Sequence, residues 1–234
     1  MSPTKVRVKI SGQFACFTRA EAKVERVSYP LPTPSAARNI LDSICWRPEM
    51  RWIVTSIAVL KPIRYVSIRR NEVQSKIVPL AVKSWIADPS KYEPLSAGAG
   101  ANSDGTPRTS LLLRDVAYII EAYPVVFDKS GDNTPTKYVS MLSRRIEKGQ
   151  CFQRPSLGCR EFAADFSLPD ANDQPIAVTE DLGRILYDIV FRPEGNRAVF
   201  FDAKLKDGVM DTRPEVVLGG DAARQEVLNC SYKR

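Results

Sequence analysis

Two stretches of helical period, each flanked by stretches of strand period, constrain this chain more than any other feature. In "KVRVKI" the apolar Val6, Val8 and Ile10 alternate with charged residues, as in a strand with one wet face. In "PTPSAARNILDSICW", Pro34 and Ser35 supply helix-start chemistry. Ala37, Ile40, Leu41, Ile44 and Cys45 then recur at helical spacing until Pro48 stops the run. "RWIVTSIAVLKPI" returns to a β pattern, and "RYVSIRRNEV" predicts a further strand carrying Arg64, Arg69 and Arg70. "TSLLLRDVAYIIEAYPVVF" is the longest β-patterned segment. "DNTPTKYVSMLSRRIEKGQ" follows with Thr134 at the cap, Pro135 in the first turn, an apolar stripe of Tyr138, Met141, Leu142 and Ile146, and Gly149 at the end. A last strand begins near "GCREFAADF". With the extra strand or hairpin near 63–77 set aside, the order is β-α-β, β-α-β. This predicts an α+β fold of the ferredoxin-like (RRM-like, split βαβ) kind, whose sheet and loops offer a platform for single-stranded RNA.

The same reading divides the chain. Residues 1–168 form the ferredoxin-like domain, with a flexible insert at about 86–107 where Pro, Gly, Ser and Ala replace apolar periodicity. Residues 169–213 form a small β-rich subdomain, in which "LGRILYDIVFRP" and "RAVFFDAKLKDG" make a hairpin around "EGN". Residues 214–234 read as a tail.

Charge is uneven. Residues 1–76 carry 14 Lys/Arg against 5 Asp/Glu, and residues 137–162 carry 6 against 2, whereas residues 163–234 carry 9 against 13. Clustered positive charge is the footprint of a phosphate-backbone binder, and a basic solvated face is the structural alternative. No apolar run approaches a membrane span and "MSPTKVRVKI" lacks signal-peptide character, so the expected location is the prokaryotic cytoplasm, with no membrane partner. Five cysteines (Cys16, Cys45, Cys151, Cys159 and Cys230) read there as reduced thiols. Cys151 and Cys159 do not have zinc-ribbon or thioredoxin spacing, and the chain has no histidine, so no metal site is expected.

Several collinear blocks carry a resemblance: "GQFACFTRAEAKVERVSYPLPTPSAARNILDSICWRP", "VLKPIRYVSIRRNEV", "LLLRDVAYIIEA", "RRIEKGQCFQRPSLGCREF" and "LGRILYDIVF". Over roughly residues 5–210 the chain resembles the CRISPR-associated family-five protein of subtype I-C. The resemblance implies a protein that binds the hairpin of a CRISPR repeat in precursor RNA and cuts at the 3′ base of the stem without metal or other cofactor. It would then stay on the crRNA 5′ handle as a subunit of the type I-C Cascade complex, beside the backbone and large subunits. In the family pattern a tyrosine in the first helix and a lysine-histidine pair at the start of the second do the chemistry. Here the first position is similar to Cys45 and the pair to Lys137-Tyr138, so only the lysine is kept.

Cutting RNA through its 2′-hydroxyl needs a base, an acid for the leaving oxygen and a cation for the phosphorane charge. Lys137 can supply the charge. Tyr138 can donate a proton, although its place on the apolar stripe of its helix also suits a core residue. Cys45 ends an apolar stripe and has no histidine to activate it. Tyr29 and Tyr65 are other phenols that could approach. For phosphate contact the candidates are Arg144, Arg145, Lys148, Arg154 and Arg160, with Arg69 and Arg70 on the extra strand. Gly149 and Gly158 would let backbone N–H groups approach the phosphates. Phe152 would stack on an unpaired base or anchor a loop, and Glu161 would orient an arginine. Two readings stay open, an endoribonuclease that keeps its product and a binding subunit that only caps the 5′ handle. Non-specific duplex DNA binding by the same surface is a third.

Overall fold

The structure is a computed structural model that describes residues 4–22, 24–92, 94–98, 104–128, 130–192 and 194–229. The alternating residues at the start form β1 (Val6–Ala15), with Val8 and Ile10 fully buried. Thr33 Oγ1 accepts the Ala36 N–H at 3.1 Å and opens α1 (Pro34–Ile44), with Pro34 where no intrahelical N–H is required. Then come β2 (Met50–Val59), which is buried almost throughout, β3 (Tyr65–Val73), α2 (Pro79–Ala87) and a 3₁₀ turn at Pro89–Lys91. The 22-residue β4 (Gly105–Val126) leads to α3 (Pro135–Glu147), where Thr134 Oγ1 accepts the Lys137 N–H at 3.3 Å. The chain ends with β5 (Asp165–Ser167), β6 (Glu180–Val190), β7 (Arg197–Lys206), β8 (Val209–Asp211), α4 (Pro214–Val217) and α5 (Asp221–Asn229).

One sheet of eight strands runs β5-β1-β4-β2-β8-β7-β6, with β3 beside β4. The part β5-β1-β4-β2, with α1 and α3 joining its strands, is the predicted ferredoxin-like unit. β4 holds it together. Its second half pairs with β1 on one edge (Leu113↔Ala15 to Ala122↔Val6) and with β2 on the other (Tyr118↔Val59 to Val126↔Met50). Its first half pairs with β3, from Gly105↔Val73 to Leu113↔Tyr65. Where the partner changes from β3 to β2, Asp115 takes a left-handed φ of 52° and its Oδ1 receives Lys61 Nζ at 2.6 Å. A non-glycine residue held there breaks the regular ladder and separates the β3–β4 hairpin from the central sheet.

The C-terminal hairpin forms as expected and continues the same sheet, because β8 pairs with both β7 and β2 (Ser56↔Asp211, Ala58↔Val209). Thr212 Oγ1 donates to the Val54 carbonyl at 2.9 Å, and Tyr187 OH donates to the Thr212 carbonyl at 3.0 Å. A buried carboxylate fixes the joint. Asp188 of β6 receives Arg38 of α1 at 2.5 Å and also Arg51 of β2.

Two expectations change. The stretch from Pro214, read as a tail, folds into α4 and α5, with Leu218 and Val227 buried, because the edge of the β6–β7 hairpin offers them apolar surface. The expected insert at 86–107 contains the end of α2, the 3₁₀ turn and the start of β4, while residues 93 and 99–103 lie outside the described residues. α2 itself buries none of its residues, so it has no one-sided apolar stripe for the sequence to reveal. Among the described residues no helix is long and apolar enough to cross a membrane.

Asp188→Ala leaves two buried guanidinium groups without their shared carboxylate. Urea unfolding followed by tryptophan fluorescence is expected to show a loss of about 3–5 kcal/mol, whereas a loss below about 1 kcal/mol would contradict this role.

Candidate functional site

The last carbonyls of a helix find no partner inside it. At the end of α1 the partners come from the segment that closes α3 and follows it. Phe152 N–H donates to Ser43 O at 2.9 Å and to Ile44 O at 3.2 Å, and Gln153 N–H donates to Ser43 O at 2.9 Å. Arg145 Nη1 donates to Ile44 O at 2.7 Å and sets its positive charge at the negative end of the helix. The far end of the loop is held as firmly. Cys16 N–H donates to Leu157 O at 2.9 Å, and Gly158, at φ 88°, lies so close to the Cys16 carbonyl that a Cβ would stand 2.0 Å from its oxygen. Between the end of α1 and this doubly anchored loop lies a cleft of about 1090 Å³, lined among others by Asn39, Trp46, Glu49, Phe152, Ser156 and Arg160. The Trp46 and Phe152 rings are 6.1 Å apart at 34°. Phe152 is 64% exposed, so this aromatic pair presents a face to solvent.

The sequence candidates sort into three groups around the cleft. Phe152, Gly158 and Arg160 line it. Arg144, Lys148 and Arg154 are exposed but do not line it, and Arg154 is paired to Asp165 at 3.1 Å. Arg145, Gly158 and Gly149 have structural work of their own: Arg145 caps α1, Gly158 permits the close contact with Cys16, and Gly149, at φ 62°, ends α3. On β3, Arg69 is exposed. Arg70 binds Glu161 at 2.5 Å and Glu72 at 3.1 Å, so Glu161 does orient an arginine, one that ties the hairpin to the loop. Arg70 also stands opposite Arg108 of β4, a like-charge pairing that these carboxylates offset.

Of the three candidates for chemistry, Cys45 and Tyr138 are buried, in line with their places on apolar helix stripes, and Lys137 is partly exposed. Cys45 is fully buried and its thiol is pushed up by burial, so it is a core residue. Its carbonyl accepts the Trp52 Nε1–H at 3.0 Å. Tyr138 is also fully buried. Its hydroxyl lies 3.0 Å from Glu49 Oε1 and 2.8 Å from Asn133 Oδ1, and burial, followed by the bond to Glu49, pushes its phenol up to about 12. It therefore keeps its proton at neutral pH and acts as a hydrogen-bond donor. Lys137 is partly exposed and reaches Asp132 Oδ1 at 2.8 Å and Asn133 Oδ1 at 3.2 Å. Lys137, Asn133, Tyr138 and Glu49 thus form one polar chain that ends in the cleft wall. Tyr29 is buried beneath Arg19, and neither it nor Tyr65 lines the cleft.

Comparison with known proteins agrees with this architecture. The Cas5d family model, described as CRISPR-associated protein (Cas_Cas5), matches residues 6–215. The chain belongs to the Cas5d family. Curated relatives named CRISPR pre-crRNA endoribonuclease Cas5d include one from Mannheimia succiniciproducens, 45% identical over 90% of this chain and 95% of that protein. Another, from Thermus thermophilus, is 38% identical over 90% of this chain and 92% of that protein. Among solved structures, a CRISPR-associated protein superposes with a TM-score of 0.62 at 23% identity, covering 91% of this chain and 95% of the other. A functionally uncharacterized protein of Streptococcus mutans gives 0.62 at 19%, covering 91% and 94%. These likenesses support the ferredoxin-like fold of the Cas5d chain.

Within this Cas5d chain, sequence reasoning missed Trp46, Glu49 and Asn133. Trp46 had a local signal, an aromatic directly after the last apolar position of α1. Glu49 had none, since its partner Tyr138 lies 89 residues away. The two glycines of the loop give a direct test. Gly149→Ala, with open space around its Cβ, should cost about 1–2 kcal/mol for the left-handed backbone alone. Gly158→Ala must also displace the Cys16 carbonyl and should cost clearly more in urea unfolding. Equal losses would contradict the close contact.

Proposed function

We propose that this Cas5d chain is a metal-independent pre-crRNA endoribonuclease. In this reading it binds the repeat hairpin, cleaves at the 3′ base of the stem through the 2′-hydroxyl and stays on the 5′ handle as a subunit of type I-C Cascade. The observation that carries it is the cleft at the end of α1, where the half-buried Trp46, the exposed Phe152 and Arg160 meet the wall that connects through Glu49, Tyr138 and Asn133 to Lys137. Named pre-crRNA endoribonucleases match nine-tenths of the chain.

Attack of the 2′-oxygen on the adjacent phosphorus, its proton passing to the base, breaks the bond to the 5′-oxygen, which takes a proton from solvent water, and leaves a 2′,3′-cyclic phosphate and a 5′-hydroxyl. In a chain without histidine the cation for the phosphorane is Lys137, held by Asp132 and Asn133. Of the carboxylates that line the cleft, Asp42, Glu49 and Asp128, Glu49 is the one joined through Tyr138 and Asn133 to Lys137, and in this reading it takes the 2′ proton while Tyr138 holds it in place. Trp46 and Phe152 would stack on an unpaired base, and Arg160, Arg144 and Lys148 would meet phosphates. The backbone and large Cascade subunits are the protein partners in this reading, and the bacterial cytoplasm its place of action. The burial of Cys45 and Tyr138 favours a second reading, in which the chain binds the 5′ handle without cutting. The exposed arginines of the β3–β4 hairpin would also accept duplex DNA, a mode marked by steep salt dependence and indifference to repeat sequence.

With cognate repeat RNA in EDTA, the protein is expected to cut the all-ribose substrate and spare one with a single 2′-deoxy at the scissile position. Lys137→Ala should slow cutting by about 10²–10³-fold with little change in affinity. Tight binding without a cut in any lane would overturn the catalytic reading and leave the handle cap. Trp46→Ala and Phe152→Ala should each weaken binding by about 1–3 kcal/mol if they stack on a base. Unchanged anisotropy titrations for both variants would remove the aromatic pair from the RNA path.

A further inference from the structure

Besides the cleft, the loop brings together two cysteines far apart in sequence. The spacing within the loop draws attention to Cys151 and Cys159, but the fold sets Cys159 against Cys16 at the end of β1. The backbone fixes this: Cys16 N–H donates to Leu157 O at 2.9 Å, and Gly158 rests on the Cys16 carbonyl. The Cys159 Sγ lies 3.9 Å from that same carbonyl oxygen, and Arg26 Nη1 donates to Cys159 Sγ at 2.9 Å. Cys16 is buried, Cys159 is half-buried, and Cys151 is exposed and lies outside this contact.

The charged groups facing Cys159 are Arg26 and Glu161, and Glu161 is itself held by Arg70. The hydrogen bond from the Cys16 thiol, then the Arg26 charge, outweigh burial and bring the Cys159 thiol down to about 6. Cys16 moves the other way, raised by its bond to Cys159 and by burial, so it keeps its proton. A cysteine whose sulfur takes an arginine N–H at 2.9 Å and lies 3.9 Å from the backbone oxygen of a second cysteine has the arrangement of an attacking and a resolving pair.

We propose that Cys159 and Cys16 form a peroxide-sensitive thiol pair, in which Cys159 is the oxidised residue and Cys16 resolves it to an intramolecular disulfide. The Cys159 thiolate attacks one oxygen of hydrogen peroxide. The S–O bond forms, the O–O bond breaks, and the departing hydroxide takes a proton to become water, leaving a sulfenic acid. The sulfur of Cys16 then attacks that of Cys159. The S–S bond forms, the S–O bond breaks, and the proton of Cys16 leaves with the hydroxyl as a second water. Two thiols are oxidised by two electrons and one peroxide is reduced to two waters. The disulfide fastens the Gly158–Arg160 side of the cleft to β1 and removes the thiolate charge from beside Arg26. In a reducing cytoplasm such a bond is transient, as expected of a sensor and not of a structural staple.

The test uses the full chain. Iodoacetamide labelling of Cys159 as a function of pH, read by peptide mass mapping, is expected to rise with a midpoint near 6. Arg26→Ala should move that midpoint upward. After hydrogen peroxide, non-reducing mapping should find the Cys16 and Cys159 peptides joined with the loss of two hydrogens. In Cys16→Ser, Cys159 should instead be trapped by dimedone as the sulfenic acid. A labelling midpoint above about 8, that of an ordinary thiol, would overturn the proposal. So would oxidation falling first on exposed Cys151, or disulfides forming only between molecules. The labelling and peroxide arms on the unmodified protein decide the matter even if a variant misfolds.

Discussion

The backbone of β4 is the constraint on which the rest of the molecule depends. A strand of 22 residues exposes a donor and an acceptor at every step, and each must be met by a neighbour or by water. β1 and β2 meet the two edges of its second half, and β3 takes one edge of its first half. Because β1 and β2 must both lie against it, α1 has to cross one face of the sheet to connect them, and α3 leaves β4 to return to β5 on the far side of β1. The left-handed turn at Asp115 divides the strand into a core segment and an arm. One side-chain sequence therefore builds both the platform and the arginine-bearing hairpin beyond it.

The cleft is a consequence of satisfying the end of one helix. α1 stops before Pro48, and its final carbonyls would be unpaired where Arg145, Phe152 and Gln153 now reach them. That same docking brings the Phe152 ring to Trp46, and the loop that follows adds Arg160 to the cleft lining. Stability and site geometry therefore share donors. Arg145 illustrates the point: its charge looks available for phosphate in sequence, yet one guanidinium nitrogen is already committed to Ile44 O. Gly158 is similar, with its lack of a Cβ used against the Cys16 carbonyl.

The departure from the family pattern also has a physical form. A residue at the Cys45 position belongs to the core, where a small thiol packs well and a burial-raised thiol is inert. Tyr138 sits on the buried stripe of α3 but keeps its hydroxyl on Glu49 and Asn133, so a polar connection from Lys137 to the cleft survives without imidazole. The thiol with unusual character is elsewhere, at Cys159, where an arginine and a second cysteine converge.

By itself the sequence determined the periodic elements and their order. Val6, Val8 and Ile10 marked β1, Thr134 and Pro135 marked the start of α3, and the basic run through Arg160 marked the loop beside the cleft. Each of these signals is local, set by the alternation or capping of residues a few positions apart. The tertiary structure alone decided which of those residues are available. Arg38 meets Asp188 across 150 residues, Tyr138 meets Glu49 across 89, and Arg26 meets Cys159 across 133. No local period encodes such pairs, because they depend on which strands become neighbours. α2 escaped notice for the related reason that it buries none of its residues and its Trp85 packs locally, edge-on against Tyr92, and the C-terminal helices because they gain their buried contacts only when β8 brings the hairpin to β2.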